Sequence, residues 1–256
     1  MNKEKKNNMK FCLLASSSKG NATYIEQNNT KVLIDLGMSA SYVEQKLKEI
    51  EVNPKELAAI LITHTHSDHI KGLDVFYKKY KTNIYITKPM ENDLLRMTNI
   101  KDFNYLKEEN NIKDINFKIM HLSHDSEDTI GFIFEDKLVY ITDTGYININ
   151  HYDKIKNKKA YIFESNHDVE MLMNGPYPFY LQQRIISDEG HLSNHDSAYH
   201  LSKIIGDNTK YIILAHISEK NNDEIKILEE HNKVVDRRKH KLIIAKPKEK
   251  TEIIEV

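Results

Sequence analysis

The chain has 256 residues, 39% of them hydrophobic and 29% charged, with 37 Lys and Arg against 38 Asp and Glu. That balance fits a soluble globular protein with a sizeable core, and it excludes both disorder and a uniform field strong enough to draw the whole chain onto DNA or an acidic membrane. No apolar run of about 18 residues is available to span a bilayer, and the start Met1-Asn2-Lys3-Glu4-Lys5-Lys6-Asn7-Asn8 lacks the apolar core of a signal peptide, so a cytoplasmic protein with no membrane partner is expected.

In chain order, residues 10–15, 22–27 and 31–35 read as short strands separated by Ser16-Ser17-Ser18-Lys19-Gly20-Asn21 and by Asn28-Asn29, a β-meander. The first carries the single cysteine, Cys12, which can form no internal disulfide and reads as a small buried thiol. Ser39 or Ser41 can cap a helix with Val43, Leu47 and Ile50 at helical spacing, ending at Pro54 before an apolar strand over 58–62. A helix over 68–80 and a strand over 83–86 follow.

Strands resume over 117–121, 130–135, 137–142 and 160–164. Residues 165–210 are richer in Pro, Gly, Asn and Tyr, with helices over 181–186 and 196–205, and read as an elaboration close to an active site. A strand over 211–215, a helix over 223–235 and strands over 241–244 and 252–256 complete the chain. With no internal repeat or low-complexity linker, residues 1–256 read as one domain of two packed sheets flanked by helices. Two basic clusters, 3–10 and Arg237-Arg238-Lys239-His240-Lys241, read as solvated surface.

The chemistry concentrates in Thr63-His64-Thr65-His66-Ser67-Asp68-His69, where four ligand-type residues occupy six positions between a strand and a helix. Alternation points His64 and His66 the same way, toward one ion, while Asp68 and His69 can be aimed by the following turn at a second ion about 3.5–4 Å away. Further ligands must come from other strand ends, where His124, Asp143 and His216 are available. Spacing alone leaves His121 in competition with His124.

The His-x-His-x-Asp-His run, the later His, the aspartate of Thr142-Asp143-Thr144-Gly145 and the final His resemble the ordered ligand set of the metallo-β-lactamase superfamily. More narrowly, residues 15–21 and 64–72, Ser123-His124-Asp125, Glu164-Ser165-Asn166-His167-Asp168, Gly190-His191-Leu192-Ser193-Asn194 and residues 214–222 resemble the YycJ/WalJ family across nearly the whole chain. Two positions depart from that pattern: Ser17, where glycine is expected, and Thr65, where acidic residues are frequent.

The resemblance implies a four-layer αβ/βα sandwich and exonuclease action on DNA from 5′ ends. It assigns His64, His66 and His124 to one metal, Asp68, His69 and His216 to the other, and Asp143 as a bridge, and it selects His124 over His121. Asp35 would orient the His64 loop by hydrogen bonds without touching metal. On the nuclease reading two divalent ions, zinc, manganese or iron, would lower the pKa of a water held between them toward neutrality, and the resulting hydroxide would be the nucleophile toward phosphorus. Asp68 can also accept a hydrogen bond from that nucleophile, and His191 can reach a phosphate oxygen or protonate the leaving group.

His121, His151, His195, His200, His231 and His240 read as exposed or helical. Tyr177, Phe179 and Tyr180 beside Arg184 could stack on unpaired bases, although core packing is the simpler expectation for them. A dizinc β-lactamase would place cysteine where Asp143 stands, which disfavours that activity. A glyoxalase-II-like thioester or lactone hydrolase uses the same ligand pattern, and a non-catalytic scaffold would have lost ligands that are all present here.

Overall fold

In the computed structural model, which describes residues 8–256, the first third folds as an antiparallel meander of β1 (Met9–Ala15), β2 (Ala22–Gln27) and β3 (Thr30–Ile34). Most of the basic cluster over 3–10 and the chain start lie outside the described residues. Asn28 and Asn29 join β2 to β3 with φ of 54° and 93°, the left-handed backbone that a two-residue hairpin demands and that asparagine tolerates.

Helix α1 (Ala40–Glu49) starts at Ser39, whose side chain accepts from the Tyr42 N–H, a cap contributing about 1 kcal/mol. It buries Val43 and Leu47 against the first sheet. β4 (Leu57–Leu61) then runs parallel to β3. The expected helix over 68–80 is in fact two, α2 (Ser67–Ile70) and α3 (Leu73–Tyr80). The break has a steric cause: the Gly72 N–H donates to the Leu36 carbonyl at 2.9 Å, and a Cβ at residue 72 would lie 2.1 Å from the Met38 carbonyl oxygen. β5 (Asn83–Ile86) pairs parallel with β4, and α4 (Glu91–Met97) and the short edge strand β6 (Asn104–Tyr105) complete a stretch with no clear pattern in the sequence.

The second sheet opens with β7 (Glu109–Ile112), β8 (Ile115–His121), β9 (Ile130–Phe134) and β10 (Leu138–Ile141), all antiparallel. After α5 (Tyr152–Ile155), β11 (Ala160–Glu164) pairs parallel with β10. α6 (Val169–Asn174), α7 (Phe179–Ile186) and α8 (Asn194–Ile204) lead to β12 (Tyr211–Ala215), then α9 (Glu224–His231) to β13 (Lys241–Ile244). β14 (Ile254–Glu255) crosses back to pair with β1. Among the described residues the sheets run β14-β1-β2-β3-β4-β5-β6 and β13-β12-β11-β10-β9-β8-β7.

Strand alternation fixes the layering. On β10 to β12, Leu138, Tyr140, Ile162, Ile213 and Ala215 join the first sheet in one core. Their neighbours Val139, Ile141, Tyr161, Phe163, Ile212 and Leu214 pack outward with Ile155, Leu201, Ile204 and Ile227 of α5, α8 and α9. The order is helices, sheet, sheet, helices: the four-layer αβ/βα sandwich. Because β1, β3, β4, β10, β11 and β12 all end at the same edge, the loops after them meet there. Cys12 is fully buried, as expected.

Candidate metal centre

At that edge His64, His66 and His124 bring ring nitrogens within 4.8 Å of one another, and Asp68, His69, Asp143 and His216 form a second group within the same limit. The two groups adjoin, since the His64 and His69 ring centroids are 4.0 Å apart. His121 is not among them: it is exposed and its Nδ1 lies 2.8 Å from Asp128. Asp143 reaches into the second group from both oxygens, Oδ1 lying 3.2 Å from His216 Nε2 and Oδ2 3.4 Å from His69 Nε2.

The chain holds these side chains at a conformational cost. Asp35, Asp143 and His216 each follow a strand with φ of 60°, 58° and 52°, a left-handed backbone uncommon for non-glycine residues that costs about 1 kcal/mol or more each. Buried hydrogen bonds maintain the arrangement. Asp35 accepts from the Thr63 N–H at 2.8 Å and from the Thr63 hydroxyl at 2.8 Å, and its Oδ2 is 2.7 Å from His69 Nδ1. It therefore fixes both the start of the His64 loop and the His69 ring. Thr63 Oγ1 is also 3.1 Å from His64 Nδ1, while the buried His64 Nε2 has no hydrogen-bond partner in the protein. A buried, unpartnered ring nitrogen beside two others is what a cation would satisfy, so the donor set fits a metal.

Electrostatics sharpen the two groups. Burial pushes the Asp143 carboxyl up, yet His216, His69 and His64 together hold it well below the ordinary carboxylate range. Burial depresses His69, but Asp143, Asp35 and Asp68 raise it well above the usual histidine value. His64 is driven well down, first by burial and then by the charge on His69.

Several contributors carried no role in the sequence reading. Glu164 is fully buried at the end of β11; its Oε2 accepts from the Thr144 and Leu192 N–H groups at 3.0 and 3.2 Å. Its Oε1 is 2.8 Å from His191 Nδ1. Burial, then the neighbouring Asp143 charge, pushes Glu164 up to about 8. A charged residue closing the apolar run Tyr161-Ile162-Phe163, as Asp143 closes its own strand, was the signal available for it. Asn21 places Nδ2 3.0 Å from His69 Nε2. At the two departures from the family pattern, the buried Ser17 accepts from the Lys19 N–H at 3.2 Å, and Thr65 donates to Asp93 at 3.0 Å, so a carboxylate stands beside Thr65 after all.

His191 stacks on His216 with centroids 5.2 Å apart at 13° and stands 5.0 Å from His124. Of the histidines given no role, His195 is exposed on α8, and His200 and His231 are helical. His240 is a correction: it is neither exposed nor helical, but buried with Nδ1 2.8 Å from the Thr209 carbonyl oxygen. Core packing of Phe179 and Tyr180 is also overturned, for they are 68% and 74% exposed.

Residues 18–216 match the family model described as "Metallo-beta-lactamase superfamily". The chain is 40% identical over 220 residues to a Bacillus anthracis protein named exodeoxyribonuclease YycJ, covering 83% of each. It is 39% identical over 223 residues to Streptococcus pneumoniae exodeoxyribonuclease WalJ, again covering 83% of each. This chain belongs to the metallo-β-lactamase superfamily, in its YycJ/WalJ-like family. The fold agrees: the metallo-β-lactamase fold protein YhfI from Bacillus subtilis superposes with a TM-score of 0.74 at 14% identity, over 98% of this chain and 100% of the other. As a member of this superfamily the chain is a metal-dependent hydrolase, with His/Asp clusters suited to metal where the hydrolytic site is built.

Proposed function

We propose that this protein is a dinuclear-metal phosphodiesterase that degrades DNA from 5′ ends in the cytoplasm, folded as one domain over 1–256 with 165–210 as an elaboration beside the site. The observation that carries the reading is the convergence of seven ligand-type side chains into two adjoining groups. The names of relatives at 39% and 40% identity supply the substrate class. His64, His66 and His124 would hold one ion, Asp68, His69 and His216 the other, and Asp143 would bridge them. Histidine and carboxylate donors suit zinc or manganese, and iron as well.

Ions held there would supply Lewis acidity, neutralising phosphate charge and bringing the pKa of a bound water down toward about 7. The chain's own residues do the rest. Asp35 and Thr63 hold the start of the His64 loop and the His69 ring in place through hydrogen bonds within the protein. Asp68, partly exposed at the start of α2, can accept a hydrogen bond from an attacking water. Glu164 fixes His191 through Nδ1, which turns the other ring nitrogen away from Glu164, where it can hold a proton for the leaving oxygen.

Digestion of an end-labelled, 5′-phosphorylated DNA duplex with added manganese or zinc tests this, with His64→Ala and Asp68→Asn run in parallel. Wild type shortens the duplex, while both variants and a chelated control leave it intact. If metal-loaded wild type leaves DNA and matched RNA whole, a thioester or lactone hydrolase replaces the nuclease.

A further inference from the structure

Phe179 and Tyr180 on α7 are the most exposed aromatic side chains among the described residues, and α7 is tied to the loop that carries His124. Tyr180 and Arg184 lie four apart on α7 and share a face, with about 5.4 Å of axial rise per turn between such neighbours. The Arg184 Nε pairs with Asp125 Oδ2. The other oxygen of Asp125 is 3.7 Å from His66 Nε2 and 3.5 Å from His124 Nε2, so the row Tyr180–Arg184 leads to the histidine group. The turn after α7 is fastened to the same loop: the Asp125 N–H donates to the Glu189 carbonyl at 3.1 Å, and His124 Nδ1 is 3.0 Å from the Gly190 carbonyl oxygen.

Lys220 Nζ stands 5.5 Å from the Tyr177 ring centroid. Lys220 thus approaches the partly buried Tyr177, while Arg184 shares a helix face with the exposed Tyr180. Adjacent exposed rings with a guanidinium on the same helix offer flat apolar faces beside a positive charge, which matches the chemistry of an unpaired base and its phosphate.

We propose that Tyr180 and Phe179 form a stacking platform for unpaired bases at a DNA end, with Arg184 holding a phosphate beside them, so that the chain prefers single-stranded or frayed 5′ ends over blunt duplex. This rests on the nuclease reading. Stacking tolerates any base because every base has a π-face, which suits an exonuclease that must advance through all sequences. Arg184 is already oriented by Asp125 and exchanges a carboxylate for a phosphate, both of which it can bind through two parallel N–H groups.

The test compares manganese-dependent digestion of a hairpin with a 5′ overhang and of a blunt hairpin of the same duplex, using full-length wild type, Phe179→Ala/Tyr180→Ala and Phe179→Tyr/Tyr180→Phe. The alanine pair is expected to raise KM for the overhang substrate by about tenfold or more and for the blunt one by less than about twofold, with the aromatic swap restoring wild-type values. Equal overhang KM for wild type and the alanine pair overturns the platform and leaves the nuclease standing. Wild type that digests neither hairpin overturns both. Sedimentation showing a wild-type dimer that the alanine pair dissolves would identify the face as a contact between copies, and would also overturn the proposal.

Discussion

The segment 63–69 and the segment 165–194 meet at the same edge, yet they are built by opposite rules. In the first, ligand-type residues follow one another in sequence, and His64 and His69 are fully buried, each with a ring nitrogen near the Thr63 hydroxyl. In the second, the residues that approach the centre are scattered: Glu164 just before it is buried, His191 is half-buried, and Arg184 and Tyr180 face solvent. A floor that must place several charges within a few ångströms needs buried, fully hydrogen-bonded partners. A rim that must admit a substrate has to leave surface uncovered. Metal retention should therefore depend on the first segment and its supports, and substrate choice on the second.

Asp143→Ala should break the floor most completely, since it removes the carboxylate that faces both His69 and His216. Hydrolytic activity should fall by about a thousandfold or more, and metal content measured on the purified protein should drop with it. Asp35→Asn removes no proposed ligand but weakens the contacts that hold Thr63 and the ring of the proposed ligand His69; titration against a chelator should show metal affinity about 10- to 100-fold weaker, with the fold retained. Unchanged affinity would mean that the floor is rigid without this carboxylate.

Gly37→Ala probes how closely the floor is packed. A Cβ there would stand 1.6 Å from the Asp68 carbonyl oxygen, so denaturant melts should show a loss of about 3 kcal/mol or failure to fold.

His231 lies outside both regions and bridges α9 to α8, the helix that follows the rim, with Nδ1 2.8 Å from Ile227 O and Nε2 3.2 Å from Ser197 Oγ. Burial depresses it to about 4, against the pull of Glu230. The folded state thus favours the neutral ring, and the unfolded chain binds the extra proton below about pH 6.5. Stability from this group is full above that pH and is lost as pH falls toward about 4, up to about 3 kcal/mol, visible as a falling melting temperature whose slope His231→Gln reduces. The smallest effect belongs to the rim: Phe179→Ala/Tyr180→Ala should change unfolding stability by less than about 0.5 kcal/mol, because both rings are already in water. A larger loss would show that the aromatics support the fold.

Much of this was legible in the chain. Strands β2, β11, β12 and β13 and the cap at Ser39 are local effects of alternation and turn chemistry, which sequence displays directly. The cluster from His64 to His69 was legible for the same reason: a strand followed at once by a helix brings neighbours in sequence to one place. The break at Gly72 was not, because its cause is the β3–α1 loop passing within contact distance, and the short edge strand β6 and helix α4 were not, because their patterns are too brief to stand out.

The sequence by itself determined the alternation that sorts side chains between two cores, the residue types able to hold metal, and the family. Only the tertiary structure decided that Glu164 faces His191, that Asp35 serves His69 as well as Thr63, that His240 is buried, and that Phe179 and Tyr180 are not. The physical reason is distance along the chain. Each of these outcomes depends on which strand ends and loops the packed sheets bring to one edge, and no local rule of spacing carries that information.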